Sequence, residues 1–480
     1  MRTILLALQH QVRLMNIRFT AYEQQLAELR QQVASADDLK AEIAELRERL
    51  GQNSSNSSKP PSSDPPSYKS KLESEPKRRK KRGGQPGHQG QARTLRPVEE
   101  VDHVSELRPS NCRQCGRRLR GEDQDPERHQ VAEVPQAPVI VTEYRRHTLR
   151  CRHCGIRTRA EWPVQMPAGS FGPRAQALIG YFTGRLALSH RDCVEALEVL
   201  YGLEVGLGSI ASIQRGVSAA LAETVAEARH FVQQQKAQHV DETSWCEGRQ
   251  QKWLWVNATA DVTTFHLLDG RGTKEAQQVI SQAAKGIIAT DRYGSYNWLP
   301  ARRRQICWAH LKRDFQAFVD RGGRSAETGR ALLVQVKRVF ALWHQFRDDT
   351  LSREQLQAKI KAVRRQVKKL LEAGAHSEQA KTSRTCQNIL KVEQSLWTFV
   401  RTGEVEPTNN TAERGLRRAV LWRRKSFGTQ SEAGSRFVER ILTAVQSLRQ
   451  QGRDVLAYLT AACRAALGDK APGGLVPDTS

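Results

Sequence analysis

Three carboxylates in this sequence have the side-chain types and neighbours expected of divalent-metal ligands. Asp241 lies in His-Val-Asp-Glu-Thr, Asp291 in Ala-Thr-Asp-Arg-Tyr-Gly and Glu413 in Asn-Asn-Thr-Ala-Glu-Arg-Gly. The first two close short apolar runs rich in β-forming residues, and the third begins a strongly basic stretch. Carboxylate oxygens hold Mg²⁺, whereas Lys and Arg hold phosphates. The combination predicts metal-dependent phosphodiester chemistry.

The segments around the two aspartates predict the sheet that would position them. Taken singly, each aspartate is more often a strand-end or turn residue than a ligand. Three strands, a helix and a fourth strand form the opening order of a ribonuclease-H-like fold, in which acids on the first and fourth strands lie side by side, close enough to share metal ions about 4 Å apart. The predicted elements are strands at 239–240, 253–256 and 264–268, a helix at 273–284 and a strand at 287–289.

The third acid must come from a helix packed against those strands. Residues 407–410, Pro-Thr-Asn-Asn, form a stop and N-cap cluster, which places Glu413 in the first turn of a helix. A glutamate there could also serve only as a partner for the helix dipole. The cations that follow favour a DNA-contacting face instead; they are Arg414, Arg417, Arg418, Arg423, Arg424 and Lys425.

Far more residues separate Asp291 from Glu413 than one strand and one helix need. Long helical patterns over 327–374 predict a helical hairpin inserted into the core at about 325–400. Whether this insertion contacts DNA or a neighbouring subunit is left open. Cys307 and His310 have the spacing of half a metal site without a second pair nearby. We therefore expect them at the strand-to-helix junction after Asp291, with His310 supporting the active site.

Charge and length restrict the class of protein. A chain of 480 residues with 76 Lys+Arg, 51 Asp+Glu and a formal charge of +25 predicts several domains and a polyanionic partner, nucleic acid rather than membrane. No apolar run approaches the roughly 20 residues that span a bilayer, and Gln9 and His10 interrupt the apolar stretch 3–8 before it could serve as a signal peptide. We expect a cytoplasmic protein.

Four of the nine cysteines form two Cys-x-x-Cys-Gly pairs, which predict a zinc ribbon. The ligands would be Cys112, Cys115, Cys151 and Cys154. Four thiolates leave no open position on the ion, so the Zn²⁺ would be structural. Free thiols or a redox pair are the alternatives, and two matched pairs argue against both. Residues 139–149 look like β-hairpin material between the two pairs.

The N-terminal region predicts an oligomerisation helix followed by a linker. Apolar residues recur in steps of three and four up to Leu50, a heptad pattern that favours a seam between chains over a helix packed on its own domain. Two successive three-residue steps should overwind the supercoil or break the helix at 35–38. The following Asn-, Ser- and Pro-rich segment cannot form a core. It ends in a basic run that would add phosphate contacts, including Lys80, Lys81 and Arg82.

These signals define a multidomain α/β protein. Residues 170–235 are helical, with a break at 201–203, and are compatible either with a helix-turn-helix or with a plain packing domain. The expected order is a coiled coil at 1–50, a linker at 51–98, a zinc ribbon at 99–165, this helical domain, a ribonuclease-H-like catalytic core at 236–455 that contains the insertion, and a C-terminal tail at 456–480.

Over nearly its full length the chain resembles transposases of the insertion sequence 66 (IS66) family, which belong to the DDE class. The motifs that carry the resemblance are 240–243, 290–294, 307–315 and 409–414. The resemblance implies that Asp241, Asp291 and Glu413 are the catalytic triad, holding two Mg²⁺ ions for which Mn²⁺ could substitute. It also implies double-stranded DNA as substrate, both terminal inverted repeats and target, in a nucleoid-associated bacterial protein. A homo-oligomer and accessory proteins of the same element are further implied partners.

Two other functions remain compatible with the sequence. A nuclease or recombinase of the same fold would keep the three acids but would not join strands. A non-catalytic DNA-binding regulator would use the coil, the ribbon and the basic segments, and its function would not depend on Asp291.

Overall fold

The computed structural model describes residues 2–53, 55–57, 94–135, 139–470 and 473–477. Residues 80–82, where we expected phosphate contacts, lie outside the described residues. The chain divides into a large unit of residues 1–68, 144–196 and 204–480 and a small unit of residues 69–143 and 197–203. None of the helices that the described residues form contains an apolar stretch of the length and purity needed to cross a bilayer.

The N-terminal helix α1 spans Arg2–Leu50. It continues through 35–38, so of the two expected effects of the successive three-residue steps, overwinding or a break, the break is wrong. The sequence contains neither Gly nor Pro before Gly51, and the helix therefore meets no strong breaker. Apolar side chains along it are exposed, including those of Phe19, Leu26 and Leu29.

Each Cys-x-x-Cys pair lies in a tight backbone turn. In the small unit, Gly116 has φ +72° and donates its N–H to the carbonyl of Cys112 at 2.9 Å. In the large unit, strands β1 (Thr148–Arg150) and β2 (Arg157–Arg159) pair antiparallel around the second turn. The hairpin expected within 139–149 is therefore wrong, because the turn at the second cysteine pair, rather than a separate turn before it, brings the strands together.

Four helices lie between β2 and the central sheet: α2 (Pro173–Gly184), α3 (His190–Tyr201), α4 (Leu207–Ala220) and α5 (Ala222–Gln234). Gly202, with φ +63°, forms the break between α3 and α4. Buried residues of α2, α4 and α5 belong to the same hydrophobic core as the sheet, and a Cβ on Gly184 would lie 2.5 Å from Ile441. The helices α2, α4 and α5 thus share the core of the sheet.

The sheet has five strands in the order β5-β4-β3-β6-β7. The strands β3, β4 and β5 form an antiparallel meander, and β6 and β7 continue it in parallel with β3. Buried apolar residues occupy both faces of the central strands, as their β-branched and aromatic composition favours. The strands are β3 (Ala237–Glu247), β4 (Gln250–Ala258), β5 (Thr263–Leu268), β6 (Ile287–Thr290) and β7 (Arg304–Ile306).

Helix α6 (Thr273–Ile280) connects β5 to β6, and α7 (Trp308–Arg321) follows β7. The region expected to hold a hairpin contains three long helices and a short one: α8 (Gly323–Arg347), α9 (Arg353–Ala375), α10 (Ala380–Lys391) and α11 (Thr398–Arg401). These helices share their own hydrophobic cluster with α7. The sequence pattern did not reveal α10 because it buries only Thr382, Cys386 and Ile389.

Three helices complete the large unit: α12 (Asn410–Ser426), α13 (Glu432–Gln450) and α14 (Val455–Ala465). Helix α14 corrects the expected C-terminal tail at 456–480. Its residues Tyr458, Leu459 and Ala462 are buried in the core that the sheet shares with α2 and α4. The packed body therefore extends beyond residue 455.

Candidate active site

The side chains of Asp241, Asp291 and Glu413 line one open pocket with a volume of about 1080 Å³. The sheet register explains the meeting of the two aspartates. In the parallel pair β3–β6, His239 lies opposite Ala289, and continuing that register by two residues sets Asp291 beside Asp241. Glu413 reaches the same pocket from the first turn of α12.

Asn409, fully buried at the start of α12, connects that helix to the strand that carries Asp241. Its side-chain Nδ2 donates to the carbonyl of Val240 at 2.8 Å, and its backbone N–H donates to Sγ of Cys307 at 3.2 Å. Farther along α12, a Cβ on Gly415 would lie 3.3 Å from Cγ2 of Val256, so the helix backbone approaches β4 closely. These contacts fix the distance between the sheet and the first turn of α12, which carries Glu413.

The loop after β6 is organised by a buried arginine that the sequence analysis missed. The guanidinium of Arg304 donates to Oγ1 of Thr290 at 3.0 Å, to the carbonyl of Asp291 at 2.9 Å and to the carbonyl of Tyr296 at 3.3 Å. Burial lowers the pKa of Arg304 to about 10. Asp291 itself accepts the backbone N–H of Tyr293 at 2.9 Å. The hydrogen bonds from Arg304 and from the Tyr293 N–H therefore hold the loop in one conformation.

The acids in the pocket repel one another. Burial raises the pKa of Asp241 well above its usual range, and the charges of Glu242, Asp291 and Glu413 raise it further. The hydrogen bond from the backbone N–H of Glu242 to Asp241 Oδ1, at 3.0 Å, opposes that shift. A divalent cation would relieve this repulsion, and the all-oxygen donor set suits a hard ion such as Mg²⁺.

A fourth acid, Glu242, lies beside the three but has both oxygens occupied. Oε1 accepts Nε of Arg271 at 2.6 Å, and Oε2 accepts the hydroxyl of Tyr296. The Glu242 side chain is completely buried. Its pKa is raised by burial and by the charge of Asp291, whereas the bonds from Tyr296 and Arg271 act in the opposite direction. The sequence signals for this cluster are weak: an acid next to Asp241, and an arginine between two glycines.

His310, in the first turn of α7, lies beside Glu413. Its Nδ1 is 3.6 Å from Oε1 of Glu413, and both atoms are buried without a hydrogen-bond partner among the described residues. Sγ of Cys307 joins them in a group whose ligand atoms lie within 4.8 Å of one another. Burial raises the pKa of Cys307 to about 11, and its sulfur already accepts the N–H of Asn409. Cys307 therefore supports the backbone of α12.

The basic residues of α12 fall into two groups. Arg414, Arg417 and Arg423 line the pocket, and Arg313 of α7, which the sequence analysis did not select, lines it with them. Arg423 is already engaged, because it donates to Oγ1 of Thr243 at 3.0 Å and to the carbonyl of Ser244 at 2.6 Å. The remaining members are exposed and lie outside the pocket lining: Arg418, Arg424 and Lys425.

The two cysteine pairs share one local chemistry. Backbone N–H groups of Cys115 and Gln114 lower the pKa of Cys112, and those of Cys154 and His153 lower the pKa of Cys151. N–H groups that converge on a sulfur favour the thiolate, which is the form that binds zinc. Cys115 and Cys154 are exposed at their turns.

Comparison with known proteins identifies the family. The model of the transposase IS66 family matches residues 169–436, more than half of the chain, and the zinc-finger binding domain of transposase IS66 matches residues 109–155. Residues 11–94 match a family of unknown function. An uncharacterized protein, y4qI, of Sinorhizobium fredii is 26% identical over 405 residues, covering 77% of this chain and 72% of the relative. The zinc-finger match supports structural Zn²⁺, and the match of the family model over most of the large unit shows that the chain belongs to the IS66 family of transposases.

Proposed function

We propose that this transposase cleaves DNA at the ends of its insertion element and joins the freed ends to target DNA, with Asp241, Asp291 and Glu413 as ligands of two Mg²⁺ ions. One observation carries the proposal. Three acids far apart in sequence line a single pocket, and the charges of Asp291 and Glu413 help to raise the pKa of Asp241. Such mutual repulsion is typical of a carboxylate cluster that binds cations.

The sheet supports a ribonuclease-H-like core. An antiparallel meander extended in parallel by two further strands is the arrangement in which such cores hold their acids. Asp241 lies on the central strand β3, and Asp291 follows the neighbouring strand β6. The long segment between β7 and α12 would then be an insertion that leaves the pocket open.

The residues present fit a hard divalent ion. Glu413 Oε1 is buried without a hydrogen-bond partner in the described part of the chain, and Glu242 is withheld from metal binding by Arg271 and Tyr296. Mg²⁺ held there would activate the attacking water or 3′-hydroxyl and stabilise the leaving oxygen. The protein's own contribution is to fix Asp291 through Arg304 and Glu413 through Asn409, and to hold DNA phosphates with Arg414 and Arg417.

The remaining domains would supply binding and assembly. We assign α1 to a coiled coil between subunits, because its exposed apolar residues have heptad spacing. The two cysteine turns would share one Zn²⁺ in a ribbon at 99–165. Either that ribbon or the helices before β3 would recognise the terminal repeats. Accessory proteins of the same element would act together with this chain.

The test is an assay of the purified, zinc-loaded protein on DNA that borders its gene, in Mg²⁺ or Mn²⁺. Wild type should yield cleaved and joined products. Asp291→Asn and Glu413→Gln should bind the DNA but form neither product, whereas Glu404→Gln, which removes an exposed carboxylate outside the pocket, should behave as wild type. Cleavage without joining would indicate a nuclease. DNA binding without any cleaved or joined product, equal in wild type and Asp291→Asn, would leave a DNA-binding regulator as the function.

A further inference from the structure

Arg271 occupies an unusual position among the cations near the acids. It belongs to the short loop between β5 and α6, and it lines the same pocket as the three carboxylates. The pocket-lining arginines of the distal basic segment, in contrast, all belong to α12. Arg271 therefore adds positive charge to the pocket from a separate part of the fold.

The Arg271 side chain is held in one orientation by three neighbours. Its Nε donates to the fully buried Glu242 at 2.6 Å. Its guanidinium carbon lies 3.8 Å from the ring centroid of Tyr293 and 4.9 Å from that of Trp253. An ion pair at Nε together with ring contacts fixes the plane of the guanidinium, so little side-chain entropy remains to be lost when a ligand binds.

The other two nitrogens of the guanidinium are uncommitted. Neither Nη1 nor Nη2 of Arg271 donates to any other described residue, and the side chain is 29% exposed. A structural arginine normally uses its whole fork, as Arg304 does. Two unused donors on a preoriented guanidinium in an open pocket match the two oxygens of a phosphate.

We propose that Arg271 binds a backbone phosphate of the DNA strand being processed, next to the scissile bond, while Glu242 and the two aromatic rings hold it in position. This inference rests on the proposed function, because it takes the pocket to be the site of strand cleavage. Arg271 is a substrate-binding residue in this account, and Glu242 is a positioning residue that acts through it.

Binding to DNA, measured with Ca²⁺ in place of Mg²⁺ so that no strand is cut, tests the assignment. Each lost phosphate contact lowers the slope of log K against log salt by about 0.9. Arg271→Gln should lower the slope by about that amount. Arg271→Lys should keep most of the slope. In Mg²⁺ it should cleave more slowly than wild type, because an ammonium lacks the planar fork. The matched control is Arg249→Gln, an exposed arginine of the β3–β4 turn that is outside the pocket lining.

Arg271→Gln leaves Glu242 buried without its cation, so the variant could misfold. The double variant Glu242→Gln with Arg271→Gln removes both charges and should regain the thermal stability of wild type without regaining the slope. A single methylphosphonate moved along the phosphates that flank the cleavage point gives a second readout. At one position the methylphosphonate should weaken DNA binding by wild type and leave DNA binding by Arg271→Gln unchanged.

Two results would overturn the assignment: an unchanged slope for both the single and the double variant, or an equal loss of slope in Arg249→Gln. Failure of the proposed function would look different. Wild type would then bind DNA without cutting it in Mg²⁺ or Mn²⁺, whatever the slope measured for Arg271→Gln.

Discussion

Replacing Asn409 by alanine tests how the fold delivers Glu413 to the two aspartates. The side chain donates to the Val240 carbonyl at 2.8 Å and contacts Nδ1 of His239 at 3.3 Å, both in buried surroundings. Leaving a buried carbonyl unsatisfied costs about 1–3 kcal/mol. Burial lowers the pKa of His239, so this neighbour stays neutral and adds no charge penalty. We expect a loss of stability in that range.

The substitution should also slow cleavage by the protein that remains folded. A shift of about 1 Å in a catalytic group reduces the rate by about 100-fold. Asn409→Ala should therefore cleave element ends about 10- to 100-fold more slowly and bind Mn²⁺ more weakly, at a temperature where it remains folded. The matched control is Thr443→Val. Its hydroxyl accepts the buried N–H of Phe265 at 3.0 Å, and it lies outside the pocket lining. If Asn409→Ala and Thr443→Val lost the same stability and cleaved at the same rate, the tethering role of Asn409 would be refuted.

The cysteines, a buried histidine and a close-packed glycine offer three further tests. Chelating zinc should make four cysteines reactive toward iodoacetamide at pH 8: Cys112, Cys115, Cys151 and Cys154. Burial raises the pKa of Cys193, Cys307 and Cys463 to about 11, so these thiols should stay unlabelled until the protein unfolds. Mass spectrometry of the labelled peptides identifies which cysteines have reacted. Burial, with the charge of Arg229, lowers the pKa of His266 far below its usual value. As the pH falls below about 6.5, only the unfolded chain binds a proton at this imidazole, so the free energy of unfolding should fall by up to about 1.4 kcal/mol per pH unit. Urea titration of His266→Gln at several pH values should show a shallower fall. A Cβ on Gly286 would lie 2.1 Å from the carbonyl oxygen of Gln235, so Gly286→Ala should destabilise the sheet by about 1–3 kcal/mol or more and lower the melting temperature. In the control Gly208→Ala the added Cβ meets nothing within 4 Å, so the melting temperature should not fall.

The sequence could predict the elements of the core because each carries a local signal. Short apolar runs rich in β-forming residues marked β4, β5 and β6, and Asn409-Asn410 marked the start of α12. The nearness of Asp241 to Asp291 could be anticipated only through the fold that the strand order implied. The register that produces it depends on pairing between β3 and β6, which no local pattern encodes.

The parts that were missed depend on tertiary contacts. Arg304 and Arg271 look like ordinary surface cations in the sequence, and only the structure shows one buried beneath the Asp291 loop and the other paired with Glu242. Helix α14 was taken for a tail because its buried face is completed by α2 and α4. For helix α1, the change in its repeat left a break as one of two expected effects, and the helix is continuous because its sequence contains no breaker.

The direct test of the central claim is Mn²⁺ binding to the zinc-loaded protein, followed by electron paramagnetic resonance and calorimetry. If the three acids form one site, wild type binds Mn²⁺ outside the ribbon as a spin-coupled pair. Asp241→Asn, Asp291→Asn and Glu413→Gln should each abolish the coupling and weaken binding at least about tenfold, or about 1.4 kcal/mol. Unchanged Mn²⁺ binding in any one of the three variants would contradict the claim that they share a metal site.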